Sequence, residues 1–68
     1  MQNVIYYYLT NGKMLEQETP YAKEYIDEKI YHLFEGQFKV IYIKEKNIYI
    51  PISSILFIEV KETKNGNN

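Results

Sequence analysis

Cysteine, arginine and tryptophan are absent from this chain, and histidine occurs once, at His32. Each absence removes a class of explanation. Without cysteine there is no disulfide to brace a small domain and no thiolate to act as nucleophile or metal ligand. One imidazole among scattered carboxylates does not make a ligand set with metal-site spacing. Without arginine, bidentate contacts to phosphate or guanine are unavailable. The net charge of −1 is neither the basic balance of a nucleic-acid binder nor the strong acidity of a nucleic-acid mimic. Three glycines are too few and too scattered for a phosphate-binding loop or a dinucleotide fingerprint. No apolar run approaches the roughly 20 residues that span a bilayer. The first residues, MQNVIYYYLTNGK, lack the basic and apolar regions of a secretory signal. No membrane partner is expected, and the expected location is the cytoplasm (the host cytoplasm if the gene is phage-borne).

What is present is apolar and aromatic. Sixty-eight residues form one domain, and 46% of them are hydrophobic, with ten isoleucines and eight tyrosines. So small a chain has a stability margin of only a few kcal/mol, and it needs a dense core or a second subunit. Abundant Lys, Asn, Ile and Tyr without Arg or Trp is also what an AT-rich coding sequence produces. Residues 38–60, FKVIYIKEKNIYIPISSILFIEV, concentrate the β-branched and aromatic side chains.

Residues 4–9 read as a strand, because Val, Ile and three consecutive tyrosines favour a pleated surface. Asn11-Gly12 is a strong hairpin signal and predicts a two-residue type I′ turn. Residues 13–18 return as an edge strand whose glutamates discourage further pairing. Thr19-Pro20 predicts a helix start, with Thr as cap and Pro at the first position. The helix is expected to run to about Glu35 and stop at Gly36. Its apolar face gathers Ala22, Ile26, Ile30 and Leu33, flanked by Tyr25 and Phe34, and Lys29 must snorkel out of that arc. Strands are then expected over 38–44, 48–50 and 55–61. A turn at Glu45–Asn47 separates the first two; Pro51 ends the second, and Ser53-Ser54 turns the corner to the third. The expected architecture is α+β: a single small domain over 1–61 with a flexible polar tail over 62–68. It comprises a hairpin, one amphipathic helix and a three-stranded antiparallel meander (ββαβββ), with the helix on one face of a curved sheet.

The strands do not alternate cleanly between apolar and polar residues. Phe38, Val40 and Tyr42 share one face while Ile41 and Ile43 occupy the other. Ile55 and Phe57 oppose Leu56, Ile58 and Val60, and Ile5, Tyr7 and Leu9 oppose Val4, Tyr6 and Tyr8. A helix of about 15 residues, roughly 22 Å long, covers part of one face only. Self-association as a homodimer, closure into a small barrel, or a protein partner must cover the rest.

Candidate chemistry is sparse, and the expectation is a non-enzymatic protein with no catalytic, cofactor-binding or metal residues. Glu28 lies one turn before His32, which is ordinary helix surface. Ser53 and Ser54 lack nucleophile-elbow glycines and read as turn residues. The sharpest feature is the helix stripe Glu24, Glu28, Tyr31 and Glu35 at i, i+4, i+7, i+11, an acidic patch with a tyrosine at its centre. It suits docking into a basic groove on a partner protein. The alternative is nucleic-acid contact through Tyr42 and Tyr49 with Lys39, Lys44 and Lys46; it is disfavoured by the nearby glutamates Glu45, Glu59 and Glu62.

Residues 46–59, KNIYIPISSILFIE, resemble the closing strand–corner–strand of Sm-like and SH3-like barrels. That resemblance implies a small barrel and a nucleic-acid-binding or transcription-regulating module. A helix between the second and third strands, and no basic signature before Pro51, depart from the pattern, so no family residues carry over. In its composition the chain also resembles accessory proteins of phages and mobile elements, many of which inhibit host machinery by binding. The leading expectation is therefore an interaction protein of that kind, such as an anti-CRISPR inhibitor, acting by occlusion.

Overall fold

The computed structural model describes residues 2–63, which form a small α+β protein of one helix and two antiparallel sheets. β1 (Gln2–Leu9) and β2 (Met14–Thr19) form a hairpin, and α1 (Lys23–His32) follows. β3 (Val40–Ile43) and β4 (Ile48–Pro51) form a second hairpin, and β5 (Ile55–Thr63) ends the described chain. The first sheet has the order β2-β1-β5, and the second consists of β3 and β4.

The expected meander does not form as one sheet. β5 leaves β4 and pairs antiparallel with β1, from Gln2 opposite Thr63 to Leu9 opposite Ile55. The reason lies at the corner. Pro51 offers no N–H to continue a ladder, and Ile52–Ser54 wind into a single tight turn, in which the Ser54 hydroxyl donates to the Pro51 carbonyl at 2.7 Å. That turn redirects the chain across the core to β1. β5 also carries its pairing through Glu62 and Thr63, beyond the expected start of the tail; residues 64–68 lie outside the described residues.

A bulge resolves the mixed parity of β5. The register with β1 shifts between Tyr8 and Leu9, so that Phe57 opposes Tyr8 but Ile55 opposes Leu9. Leu56 is the extra residue and stands 63% exposed, while Ile55 turns into the core at 9%. Ile58 and Val60 point to that same interior, packed against its buried residues.

The first turn also differs in type. The Gly12 N–H donates to the Leu9 carbonyl at 3.0 Å and Gly12 takes φ 89°. This is a three-residue loop, a type I turn closed by a left-handed glycine, in place of the expected two-residue I′ turn. Asn11 keeps a negative φ and instead accepts the Lys13 N–H with its side-chain oxygen at 2.9 Å.

The helix is shorter than expected because Thr19 belongs to β2, opposite Asn3. A residue before proline is biased to extended backbone, and here the ladder enforces it. α1 starts after Ala22 with no side-chain cap, and ends in a wide turn, Leu33–Gln37, where Gly36 adopts φ 94°. The left-handed stop expected at Gly36 is thus observed.

The core lies between the sheets. Ile5 and Tyr7 from β1 meet Ile26 from α1, Ile41 and Ile43 from β3, Ile50 from β4 and Ile55. Ile30 and Leu33 pack against this cluster at partial burial. Ile43 is 0% exposed. We expect Ile43→Ala to cost roughly 2–5 kcal/mol and Leu56→Ala less than about 0.5 kcal/mol, measured by urea unfolding followed by circular dichroism. Equal costs at the two positions would refute the bulge assignment.

Candidate functional site

The inner face of the first sheet is only partly roofed. Between β1–β2, α1 and the start of β3 lies a cleft of about 760 Å³. Ile5, Tyr7, Ile26, Leu33 and Ile41 contribute to its floor, and Tyr21, Tyr25, Phe38, Val40 and Tyr42 stand around its rim. These five rim residues are between 44% and 55% exposed. Three local causes place four of them. Tyr21 lies in the link after β2, fixed by the buried Asn3 side chain, which donates to its carbonyl at 2.7 Å. Tyr25 rides on α1 one position before the buried Ile26. Val40 and Tyr42 occupy the outward parity of β3 because Ile41 and Ile43 take the inward one.

Polar groups are few and specific. The Tyr7 hydroxyl donates to Gln17 Oε1 at 2.6 Å. Burial, with a smaller push from the Glu45 charge, raises the Tyr7 phenol to about 12. At the mouth, Lys29 lies 5.6 Å from the centre of the Tyr25 ring, a cation–π contact that fulfils the expected snorkel. His32 Nδ1 and Glu35 Oε1 are 3.0 Å apart. Asn3 Oδ1 is buried and finds no donor among the described residues, a cost of about 1–3 kcal/mol.

The stripe residues are all exposed. Glu24, Glu28 and Tyr31 lie on α1; Glu35 lies beyond its end, where it bonds to His32 and borders the cleft. Beside them Lys23 pairs with Asp27 at 2.8 Å, which holds the Lys23 ammonium above its ordinary range and dilutes the negative charge of this surface. The alternative set is also drawn together. Tyr42 and Tyr49 oppose each other across β3–β4 and stack at 4.5 Å, and Lys44 and Lys46 sit in the connecting turn beside Asn47, whose Oδ1 accepts the Tyr42 hydroxyl at 3.0 Å. Lys39 precedes β3, its carbonyl accepting the Ile52 N–H at 2.9 Å.

On the outer face of the first sheet, aromatic and charged side chains pair with one another, although Phe57 remains 55% exposed. Tyr8 stacks on Phe57 at 4.3 Å and donates its hydroxyl to Glu59 at 2.8 Å, a bond that raises the Tyr8 phenol. Lys61 stands 5.7 Å from the centre of the Tyr6 ring. Five of the exposed large hydrophobic side chains thus share the cleft, while Met14, Tyr31, Phe34, Tyr49, Leu56 and Phe57 stand exposed elsewhere. Sequence reasoning singled out Tyr42 but not Tyr21, Tyr25, Phe38 or Val40 as site residues; the shared parity of Phe38, Val40 and Tyr42 was the available signal.

Among the described residues no group of three or more His, Cys, Asp or Glu could hold a metal ion. No helix among them is long and apolar enough to cross a membrane. Compared with protein-family models, curated proteins and solved structures, the chain matches none.

The raised Tyr7 phenol yields a pH prediction. In the unfolded chain Tyr7 deprotonates near 10, but in the fold only near 12. Its contribution is therefore complete below pH 10 and is lost as pH rises to 12. Two units correspond to a loss on the order of 2–3 kcal/mol. Urea midpoints between pH 9 and 12 should fall, and the fall should be shallower in Tyr7→Phe. An identical slope in both proteins would overturn this.

Proposed function

We propose that this protein is a non-enzymatic protein-binding module that acts by occupying a partner's surface. The observation that carries the reading is the ring of five half-exposed apolar side chains around one cleft. Grouped apolar surface of this kind marks an interaction site when single exposed residues would not, and tyrosines suit such sites because a large ring carries a polar tip. The exposed carboxylates of Glu24 and Glu28 lie on the solvent side of α1, outside the cleft lining, and Glu35 touches its mouth. They would steer a partner with complementary positive charge. Inhibition by occlusion, as in phage and mobile-element accessory proteins, is the mode that fits a small binder with so little polar machinery. Its workplace on this reading is the cytoplasm.

A second reading has its own support in the Tyr42–Tyr49 stack with Lys44 and Lys46 in the adjoining turn. Aromatic faces beside cations can hold single-stranded nucleic acid.

Affinity capture from the source host separates the two. Phe38→Asp should abolish capture of a specific protein, and Glu24→Lys/Glu28→Lys should weaken it, while both variants keep wild-type circular dichroism because these side chains are exposed. Nucleic-acid binding would instead fall steeply with salt and disappear in Lys44→Glu/Lys46→Glu. Full protein capture by Phe38→Asp defeats the leading reading.

A further inference from the structure

The two sheets do not join at the cleft. β2 pairs with β1 on one side and β3 pairs with β4 on one side, so among the described residues the other edge of each carries no ladder. Gln17 and Thr19 of β2 and Val40 and Ile41 of β3 all border the same cleft. An open strand edge is a row of backbone donors and acceptors already spaced for another strand. The register identifies those groups on β2. The Leu9 N–H donates to the Lys13 carbonyl at 2.8 Å. By the alternation of an antiparallel ladder, Leu15, Gln17 and Thr19 turn their backbone groups to β1, and Glu16 and Glu18 turn theirs outward.

The same register sorts the side chains. Gln17 and Thr19 face the cleft, whereas Glu16 and Glu18 stand exposed on the opposite face, with no ion-pair partner among the described residues. A strand laid along β2 would direct every second side chain into the cleft and the intervening ones beside the two carboxylates. The inward positions favour apolar groups, since the floor is apolar. The outward positions favour lysine or arginine.

We propose that the free edge of β2 captures an extended peptide segment in which apolar residues alternate with basic ones, adding it as a fourth strand to the β2-β1-β5 sheet. The proposal rests on the reading of the cleft as a protein-binding site and names the segment that enters it. The same carboxylates disfavour a second copy of this chain at the edge. Antiparallel β2–β2 pairing centred on Gln17 would set Glu16 of each copy against Glu18 of the other, like charges directly opposed.

The test is fluorescence anisotropy with a labelled Lys-Val-Lys-Val-Lys-Val-Lys peptide. It should bind at least about tenfold more tightly than its Glu-Val counterpart, and by a similar factor more tightly than a version N-methylated along the edge facing β2, because each N-methyl group removes a backbone donor. Glu16→Lys/Glu18→Lys should reverse the charge preference while the exposed positions leave the fold intact by circular dichroism. Equal affinity for the N-methylated peptide would mean side-chain capture alone and would overturn strand addition. So would equal affinity for the Glu-Val peptide, no binding at millimolar peptide, or sedimentation showing a dimer that Glu16→Pro, which removes an outward backbone donor of β2, dissociates. If no peptide binds yet Phe38→Asp still abolishes host-protein capture, the edge proposal falls and the protein-binding reading stands. If the peptide binds by these criteria and Phe38→Asp leaves capture intact, the host-partner reading falls alone.

Discussion

The pairing of β1 with β5 joins the two ends of the described chain, Gln2 beside Thr63 and Leu9 beside Ile55. Closing a loop of the intervening residues has an entropic cost of about 3 kcal/mol before any constant term. Contacts on both faces of the ladder offset it. On the inner face, Tyr7 lies opposite Ile58 and Ile5 opposite Val60, at the buried interface with the helix and second hairpin. On the outer face, the Tyr8–Phe57 stack, the Tyr8–Glu59 bond and the Lys61–Tyr6 contact form a continuous surface. The central strand therefore uses both its edges and both its faces, and replacing any of its tyrosines disturbs more than one neighbour.

Once the ends are joined, everything between β2 and β5 must fit over one face of a three-stranded sheet. A ten-residue helix is only about 15 Å long, and Ile26 is its one buried residue. The β3–β4 hairpin completes the roof with Ile41, Ile43 and Ile50. Isoleucine suits this task because its branched Cβ restricts χ1, so little rotamer freedom remains to be lost on burial. A helix and a hairpin of this size do not close the whole face. The cleft is the part left open, and its width follows from β2 and β3 having other partners.

Local chemistry was legible in the sequence wherever one residue type dictates one conformation. Gly36 stops the helix turn, Glu45–Asn47 turn the chain between β3 and β4, Pro51 ends its strand, and the serines make the corner. Features that depend on a distant neighbour were not legible. Thr19 reads as a helix cap until Asn3 is found opposite it. The bulge at Leu56 has no signature in ILFIEV, because Leu, Phe and Ile suit either face. The same ambiguity hid the partner of β5, since an apolar strand can satisfy any ladder. The acidic stripe was visible from spacing and is exposed as expected, except that Glu35 falls beyond the helix. The cleft was not visible, because it exists only where two sheets fail to meet.

The tyrosines divide along the same boundary. The hydroxyls of Tyr7 and Tyr8 are bonded to Gln17 and Glu59, so these side chains are committed to the fold, and Tyr42 bonds Asn47 while its ring stays on the rim. Those of Tyr21 and Tyr25 make no hydrogen bond among the described residues, and their rings lie 4.8 Å apart at the cleft rim. An exposed phenol loses nothing in water, because solvent satisfies it. When a partner covers it, the ring leaves water and the hydroxyl can keep a bond to the incoming backbone, so coverage gains apolar burial without an orphaned polar group. The helix side of the cleft is thus where an added strand would gain most. The fold can leave this surface open because its stability is drawn from the β1–β5 ladder and the isoleucine core behind it.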